Sequence, residues 1–571
     1  MEGSATVAPL GPPREDPPVK QDGVAVVLGA GSPWGGVLAE ALARENFLPV
    51  LVDAAGEGLG AARERVLRTG ASAETVSADL RDLEVVLALG RKLPTGLGTP
   101  TLLVHALPPP ITGPFHERRF PEVVEEVHRG YSSLVVLARD LLPAMIERRE
   151  GRIIVLGSAA ARAPLAKAAV HSALAAALPA FLTALDREVH RQGVRISYLE
   201  PAGYPSPPLP AETATGEGLP NEAHRRFLVS DAAVARAFLS TLRSPSVRHR
   251  SFHGHGRAPP SPTVLRRYVE RELHGRHPEE PRERWAPVVV SPESLRGRTA
   301  VVTGSSRGIG RAIALRLAQH GMKVVLTGRD KGALEKVAKE VHSLGGEAHP
   351  WVQDLQERGA AEKLFRFTME AGGAPYLLVN NAGLGFFRRL VRQDDAQLRT
   401  QIEVDLLAVL ALSHAFLPAM LEGGSGHLVA VGSLSAEAPF PRLAPYSGIK
   451  GAVKGFSLAL GREVGHRGLN FSVLEPTTVD TDFIGRAGEP GRRDMRERGS
   501  LRRVMIGPDE VGRVAERTLL RPRPVVVVPP RIRPLIWFYR GLLPISDRLL
   551  RLPPPSAGGP KGEHGKASTG A

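Results

Sequence analysis

Two stretches of the chain, Gly23–Asn46 (GVAVVLGAGSPWGGVLAEALAREN) and Arg298–Gly321 (RTAVVTGSSRGIGRAIALRLAQHG), share one design: an apolar run, a glycine-rich turn and an amphipathic helical pattern. They lie 275 residues apart, and that offset persists far beyond them. Gly29, Gly35, Asp79-Leu80, Pro143-Ala144-Met145, Gly157-Ser158, Ala163-Pro164 and Glu200-Pro201 all recur at it, as Gly304, Gly310, Asp354-Leu355, Pro418-Ala419-Met420, Gly432-Ser433, Ala438-Pro439 and Glu475-Pro476. So long a constant register is a tandem duplication of one whole domain of roughly 250 residues, not a short-period solenoid. A chain of 571 residues is in any case too long for one core.

Each copy alternates apolar β-branched runs with helical patterns. In the second, strands are expected near 299–303, 323–327, 348–352, 376–379, 427–431 and 470–474, with a last one at VVVVPP. Strand–helix alternation predicts an α/β fold: a parallel sheet covered on both faces and wound right-handed. The expected organisation is a Pro-rich leader (1–20), a first domain (21–275), a Pro- and charge-rich linker (276–297), a second domain (298–530), an amphipathic segment (531–552) and a disordered tail (553–571). Residues 203–220 read as a Pro/Gly-rich loop and Ile484–Arg503 as a mobile lid.

Composition removes several function classes. With no cysteine there is no disulfide, thiolate nucleophile or Cys-ligated metal, and no metal site is expected. No run approaches eighteen uninterrupted apolar residues, and the N-terminus lacks a basic region followed by an apolar core. A cytoplasmic protein is the expectation. The net charge of +15 is carried by dispersed arginines without an aromatic-interleaved basic patch, so no nucleic-acid partner is expected.

The turn Thr303–Gly310 (TGSSRGIG) follows a strand and opens a helix. Gly304, Gly308 and Gly310 let backbone approach a pyrophosphate, with Ser306, Arg307 and Ile309 between them and a helix N-terminus to stabilise the charge. At the end of the next strand stand Gly328 and Arg329, where a carboxylate would hydrogen-bond a ribose 2′-hydroxyl. Two guanidiniums, Arg307 and Arg329, suit a 2′-phosphate instead. The reading is NADP(H), with NAD(H) as the alternative and Asp330 as a competing carboxylate.

A second cluster lies at Ser433, Tyr446 and Lys450. The i, i+4 spacing puts Tyr446 and Lys450 on one helix face. An ammonium a few Å from a phenol is worth roughly 4 kcal/mol at an effective dielectric near 20. At about 1.4 kcal/mol per pKa unit, Lys450 is expected to lower the phenol into a range useful for proton transfer. Ser433, at the end of an apolar strand, would hydrogen-bond a substrate oxygen.

Together TGSSRGIG (303–310), Asp354-Leu355, NNAG (Asn380–Gly383), Ser433 and YSGIK (446–450) resemble the short-chain dehydrogenase/reductase family, in its order and at its usual distances. The resemblance is strong over about 298–530 and fainter over 22–250. It implies two tandem Rossmann-type, doubly wound parallel sheets and hydride transfer between a nicotinamide and a carbonyl/alcohol pair. Tyr446 would be the general acid/base. Lys450 would lower its pKa and hold the ribose, and Ser433 would orient the substrate. Asn380, Asn381, Ala382 and Gly383 would help form the cofactor wall, with Asp354 and Leu355 at the adenine. The sequence departs from the family twice. Asp405 stands where an asparagine often supports a water-mediated proton relay, and Pro476 is followed by Thr477 instead of glycine.

The first copy keeps only Ser158 of the catalytic set. His171 replaces Tyr446, Ala175 replaces Lys450, Gly130 replaces Asp405, His105-Ala106-Leu107 replaces Asn380-Asn381-Ala382 and Pro33 replaces Gly308. Asp53 at its second strand's end would favour NAD. The first copy is expected to be non-catalytic. Family members commonly pair through two helices flanking the serine strand, which correspond to about 123–149 and 170–191 here and to 397–422 and 445–466. The resemblance therefore implies an intramolecular pseudo-dimer, with higher assembly open.

Leu384, Phe386, Phe387, Pro439, Phe440 and Leu443 lie over the expected pocket and favour a small hydrophobic ketone, steroid- or retinoid-like, or an acyl chain. Trp537, Phe538 and the arginines of 531–552 suit either a flap or a peripheral membrane contact. The competing function classes are a non-catalytic dinucleotide sensor, supported by Asp405, and a lipid-surface protein acting through that segment.

Overall fold

The computed structural model describes residues 23–96, 100–201, 230–244, 249–252, 287–481, 505–534 and 536. The expected leader, the 203–220 loop, the lid at Ile484–Arg503, the tail, nearly all of 531–552 and the first part of the linker lie outside them. The remaining linker residues belong to the second half. Val288 exchanges two hydrogen bonds of 2.9 Å with the Asn470 amide, and Leu295 is wholly buried. An apolar side chain with core to bury in and a partner for its neighbours' backbone does not stay linker.

Seven parallel strands form each sheet. In the first they are β1 (Gly23–Leu28), β2 (Phe47–Asp53), β3 (Glu74–Ser77), β4 (Pro100–Ala106), β5 (Gly151–Leu156), β6 (Val194–Pro201) and β7 (His249–Phe252), ordered 3-2-1-4-5-6-7. In the second they are β8 (Thr299–Thr303), β9 (Lys323–Gly328), β10 (Glu347–Val352), β11 (Pro375–Asn380), β12 (Gly426–Val431), β13 (Leu469–Pro476) and β14 (Val525–Val528), in the same order. β11, β12 and β13 are buried along their whole length, as strands covered on both faces must be. The strand order reverses between β8 and β11, and the crevice outside their carboxyl ends, at Thr303 and Asn380, is where such sheets hold ligands.

The duplication extends to a local irregularity. The helical stretch Asp395–Glu422 carries a π-helical turn at Glu403–Leu407, and Phe120–Arg148 carries one at His128–Ser132, the equivalent place. Such a turn redirects the side chains it holds and is common at functional sites. Here it presents Asp405 in one half and Gly130 in the other.

Each sheet has its own core on its outer face, but the inner faces share one continuous apolar cluster contributed by both halves. At its centre helix Ala169–Val189 packs on helix Ala444–Val464 through small residues. A Cβ on Gly451 would lie 2.7 Å from Ala176 O, and one on Gly455 would lie 2.5 Å from Ser172 O. One on Gly448 would collide with the Tyr131 hydroxyl, which donates to Pro445 O at 2.9 Å. Two stretches, Ala169–Gln192 and Asp395–Glu422, are apolar and long enough to cross a membrane, yet they are largely buried between the halves.

This packing predicts a reversal of the usual glycine effect. Gly332→Ala, at an exposed position in the first turn of the Lys331–Ser343 helix where the added carbon meets only Asp330 Oδ1 at 3.8 Å, is expected to raise the melting temperature through helix propensity, by less than the about 1 kcal/mol of a helix interior. Gly455→Ala gains helix propensity as well but drives a methyl into backbone, an overpacking cost of roughly 1–3 kcal/mol. Differential scanning calorimetry should show its melting temperature fall. A rise in both would refute the close approach.

Candidate active site

The glycine-rich turn is locked to the end of β11 by one hydroxyl. Thr303 Oγ1 accepts from Asn381 N and Ala382 N, both at 2.9 Å, and the Asn381 amide donates to Thr303 O at 2.8 Å. Thr303 is a site residue the sequence reasoning passed over, since it was read only as the start of the turn. Gly304 adopts φ 63°, where a Cβ would lie 2.9 Å from Ala382 Cα, and Gly310 packs on Gly304 O. The Gly308–Gln319 helix starts in the turn itself, with Arg307 at its N-cap. Asn380 stays inside β11, buried, with its amide 3.5 Å from Ser413 Oγ, so Asn381 is the asparagine that faces the turn.

At the end of β9, Gly328 leaves the Ser306 side chain at ordinary contact, 3.6 Å from where a Cβ would be. The Asp330 carboxylate caps the Lys331–Ser343 helix, its Oδ1 accepting from Ala333 N at 3.0 Å. Arg329 is exposed and lies 3.6 Å from Asp354, whose carboxylate also accepts from Gln356 N at 3.0 Å. Leu355 packs partly buried against the shared core, and Pro476 closes β13.

Ser433, Tyr446 and Lys450 converge as the sequence implies. Ser433 begins a short turn and accepts from Ser435 N at 3.1 Å, and the Tyr446 phenol is hydrogen-bonded to it. Lys450 is nearly buried; its ammonium donates to Val431 O at 3.2 Å and lies 5.4 Å from the Tyr446 ring centre. In the glycine-rich turn Ile309, Gly308 and Ser306 remain partly accessible.

Asp405 changes the electrostatics. Wholly buried, it accepts from Leu384 N at 2.7 Å through Oδ1, and it packs so closely on Gly383 that a Cβ there would lie 3.2 Å from the same oxygen. Oδ2 lies 3.7 Å from Lys450 Nζ, an ion pair without a hydrogen bond. Burial pushes the Asp405 carboxyl up to about 6, against the pull of Lys450 and of the Leu384 N–H. The expectation that Lys450 lowers Tyr446 is corrected here. Burial raises the phenol, the Asp405 charge raises it further, and only the Ser433 hydrogen bond works the other way. The ammonium that would have favoured phenolate is matched by a carboxylate.

The first half has filled the same place with carbon. A Cβ on Gly130 would lie 2.6 Å from Leu174 Cδ1 and 3.2 Å from Leu107 Cδ1. His171 is buried and bonded to Pro108 O, with burial pushing it down to about 3, so it stays neutral. The nucleotide side is altered too. Asp53, rather than offering its carboxylate to a ribose, accepts from Gly31 N at 2.9 Å and lies 3.5 Å from Arg129. The glycine-rich turn rests on the next helix so closely that a Cβ on Gly58 would lie 2.6 Å from Gly31 O.

The profile of the family described as short chain dehydrogenase matches this chain twice, at residues 23–214 and 298–490. Among curated proteins the chain is similar to estradiol 17-beta-dehydrogenase 11 of Rattus norvegicus, 35% identical over 195 residues, 34% of this chain and 65% of that one. It is also similar to the 3-oxoacyl-[acyl-carrier-protein] reductase FabG of Pseudomonas aeruginosa, 30% identical over 223 residues, 39% of this chain and 86% of the relative. The chain thus spans just under two thirds of the estradiol dehydrogenase's length. A solved metagenomic short-chain oxidoreductase in complex with NADP is 31% identical, with a TM-score of 0.35 over 41% of this chain and 98% of its own. The two profile matches cover more than half of the sequence, one in each sheet, and the chain belongs to the short-chain dehydrogenase family.

Proposed function

We propose that the chain is an NADP(H)-dependent oxidoreductase that interconverts a hydrophobic ketone, or a 3-oxoacyl group, and its alcohol in the second half. The first half is a non-catalytic partner that completes an intramolecular pseudo-dimer. The observation that carries this reading is the convergence of Ser433, Tyr446 and Lys450 beside an open glycine-rich turn, against the leucine-filled counterpart around His171. The merged core supports the pseudo-dimer. The relatives named for steroid and 3-oxoacyl substrates support the substrate class, as do the exposed Phe440 and the partly exposed Phe386 and Phe387.

The residues at the turn fit a dinucleotide carrying a 2′-phosphate. Gly304 and Gly310 let the turn close tightly on Ala382 and on itself at a helix N-terminus, Arg307 and Arg329 supply guanidiniums, and Asp330 caps the next helix. When bound, the nicotinamide would supply hydride to the carbonyl carbon. Ser433 Oγ would hold the carbonyl oxygen, and the Tyr446 hydroxyl would give that oxygen its proton. Lys450, anchored on Val431 O, would steady the ribose and the phenol's surroundings. In the reverse direction the Tyr446 phenolate would take the proton back from the alcohol.

Turnover of NADPH with estrone, acetoacetyl-CoA and longer 3-oxoacyl thioesters tests the assignment. Tyr446→Phe is expected to lose roughly 100- to 10,000-fold in kcat, and His171→Phe to keep it. Loss confined to His171→Phe would overturn the assignment of the halves. The cofactor choice has its own test. Arg329→Ala is expected to weaken NADPH by roughly tenfold, the worth of one charge-assisted hydrogen bond, and to leave NADH nearly unchanged. Fluorescence titration of both nucleotides reads this, and an equal loss for both would remove the 2′-phosphate role.

The raised phenol supports the dinucleotide-sensor reading as the alternative: an acid/base held further from neutrality turns over more slowly. Asp405→Asn separates the two. Reduction needs the protonated phenol, so its rate is lost as pH rises through the phenol's pKa, and the carboxylate displaces that limb to the alkaline side. In Asp405→Asn the limb of kcat/KM for reduction is expected at lower pH, with faster alcohol oxidation at neutral pH. An unmoved limb would show that the carboxylate does not act on Tyr446. NADPH binding without turnover in both proteins would favour the sensor.

A further inference from the structure

The active-site loop of the second half runs from Ser433 to Tyr446, and its last turn is fixed from outside its own domain. Glu188, in the first half's Ala169–Val189 helix, is 2% exposed and reaches across the shared core. Its Oε1 accepts from Arg442 N at 2.7 Å and its Oε2 from Leu390 N at 3.0 Å. Arg442 sits at φ 68°, a left-handed conformation that a side-chain-bearing residue holds only where partners fix it. Its carbonyl accepts in turn from Arg388 N at 2.9 Å. One carboxylate therefore joins two segments: the loop entering Tyr446's helix and the stretch following Leu384, whose N–H holds Asp405. The neighbouring Arg187, buried, donates to Pro439 O in the same loop.

The duplication supplies the same contact in reverse. Glu463 accepts from Phe115 N at 2.6 Å and from Lys167 N at 3.0 Å, Lys167 has φ 57°, and Arg462 donates to Pro164 O. Each residue is the counterpart of one above at the constant offset. Glu463 fixes loops around a site filled with leucine; Glu188 fixes loops around Ser433, Tyr446 and Lys450.

We propose that Glu188, a residue of the non-catalytic half, is a positioning residue of the second half's active site, setting the substrate loop from across the interface. The proposal rests on the reading that the second half is the catalyst. It gives the first half a definite part in the reaction: one hydrogen bond to the loop between the serine and the tyrosine, and a second that ties the stretch following Leu384 to the same carboxylate.

Glu188→Gln and Glu463→Gln, made in the full chain, form a matched pair, since each replaces one of two acceptor oxygens by an amide that cannot accept. Melting temperatures are expected to fall by similar amounts. With acetoacetyl-CoA or estrone as substrate, only Glu188→Gln is expected to lose roughly ten- to hundredfold in kcat/KM, with NADPH affinity unchanged because the glycine-rich turn is untouched. Deuterium uptake at 388–392 and 440–444 should rise about tenfold or more in Glu188→Gln and stay at the wild-type level in Glu463→Gln. If Glu188→Gln does not fold, Glu188→Asp, whose carboxylate is one methylene too short to span both donors, is measured instead. Equal losses of turnover in the matched pair, or unchanged uptake in Glu188→Gln, would overturn the proposal. Tyr446→Phe is run beside them. If it retains wild-type turnover, the failure lies in the assignment of the catalytic half, and the uptake at 388–392 and 440–444 still decides whether Glu188 holds the loop.

Discussion

The approach of two helix backbones across the shared core sets the terms for the rest of the molecule. Gly448, Gly451 and Gly455 offer no side chain on one helix, and Ala173, Ala176 and Ala180 stand at the equivalent places on the other. Contact this close makes the inner faces of the two sheets one core, so neither half can expose that face without exposing the other's. The same helices carry the groups of interest further along. Ala444–Val464 bears Tyr446 and Lys450, and Ala169–Val189 bears Glu188. Interface and candidate active site are thus two faces of one helix pair, and their close packing is what brings a carboxylate of one half within hydrogen-bond reach of a loop in the other.

On the proposed reading, in which the first half is non-catalytic, this coupling explains how that half keeps its fold. Leu107 and Leu174 occupy the space beside Gly130, a substitution of dispersion contacts for polar groups that leaves the surrounding sheet and the π-turn in place. Elsewhere a charge has been relocated. Buried Glu200 pairs with Arg162, whereas its counterpart Glu475 pairs with Lys454, 3.0 Å away, because the counterpart of Arg162 is Glu437. Lys454 lies 3.0 Å from Glu475 and also touches Glu437. A carboxylate that stays buried keeps a cation, but the cation need not come from the same element.

The duplication, the parallel sheets and their strand positions were legible in the sequence because they rest on periodicity and on a gapless register. Tyr446, Lys450 and Ser433 were legible through spacing along one helix and one strand end. Three features were not. Thr303's double acceptor role depends on how β8 and β11 end side by side, a juxtaposition that no local pattern encodes. Glu188 is, by local pattern, one charge on a helix, and only the docking of the halves buries it against Arg442 N and Leu390 N. Its signal was present nonetheless: a Glu at the same offset as Glu463, each preceded by an arginine, on helices with small-residue faces. The linker beyond residue 286 was misjudged because proline and charge outweighed Leu295 in the composition, while the fold weighs a single buried leucine more heavily.

The expected effect of Lys450 on Tyr446 failed for a reason that spacing cannot reveal. An i, i+4 pair fixes the distance between ammonium and phenol, but the phenol responds to the net field, and that includes charges from other elements. Asp405 arrives from a π-turn about forty residues earlier and lies within 3.7 Å of the same ammonium. Both partners are buried, so their charges act with little screening, and the carboxylate opposes the ammonium at the phenol. With the cation neutralised, burial becomes the largest influence on the phenol, and burial favours the neutral form. A neutral amide at 405 would occupy nearly the same volume against Gly383 but could not oppose the ammonium. The exchange of oxygen for nitrogen at this position would therefore remove one of the two influences that raise the Tyr446 phenol, leaving burial as the other.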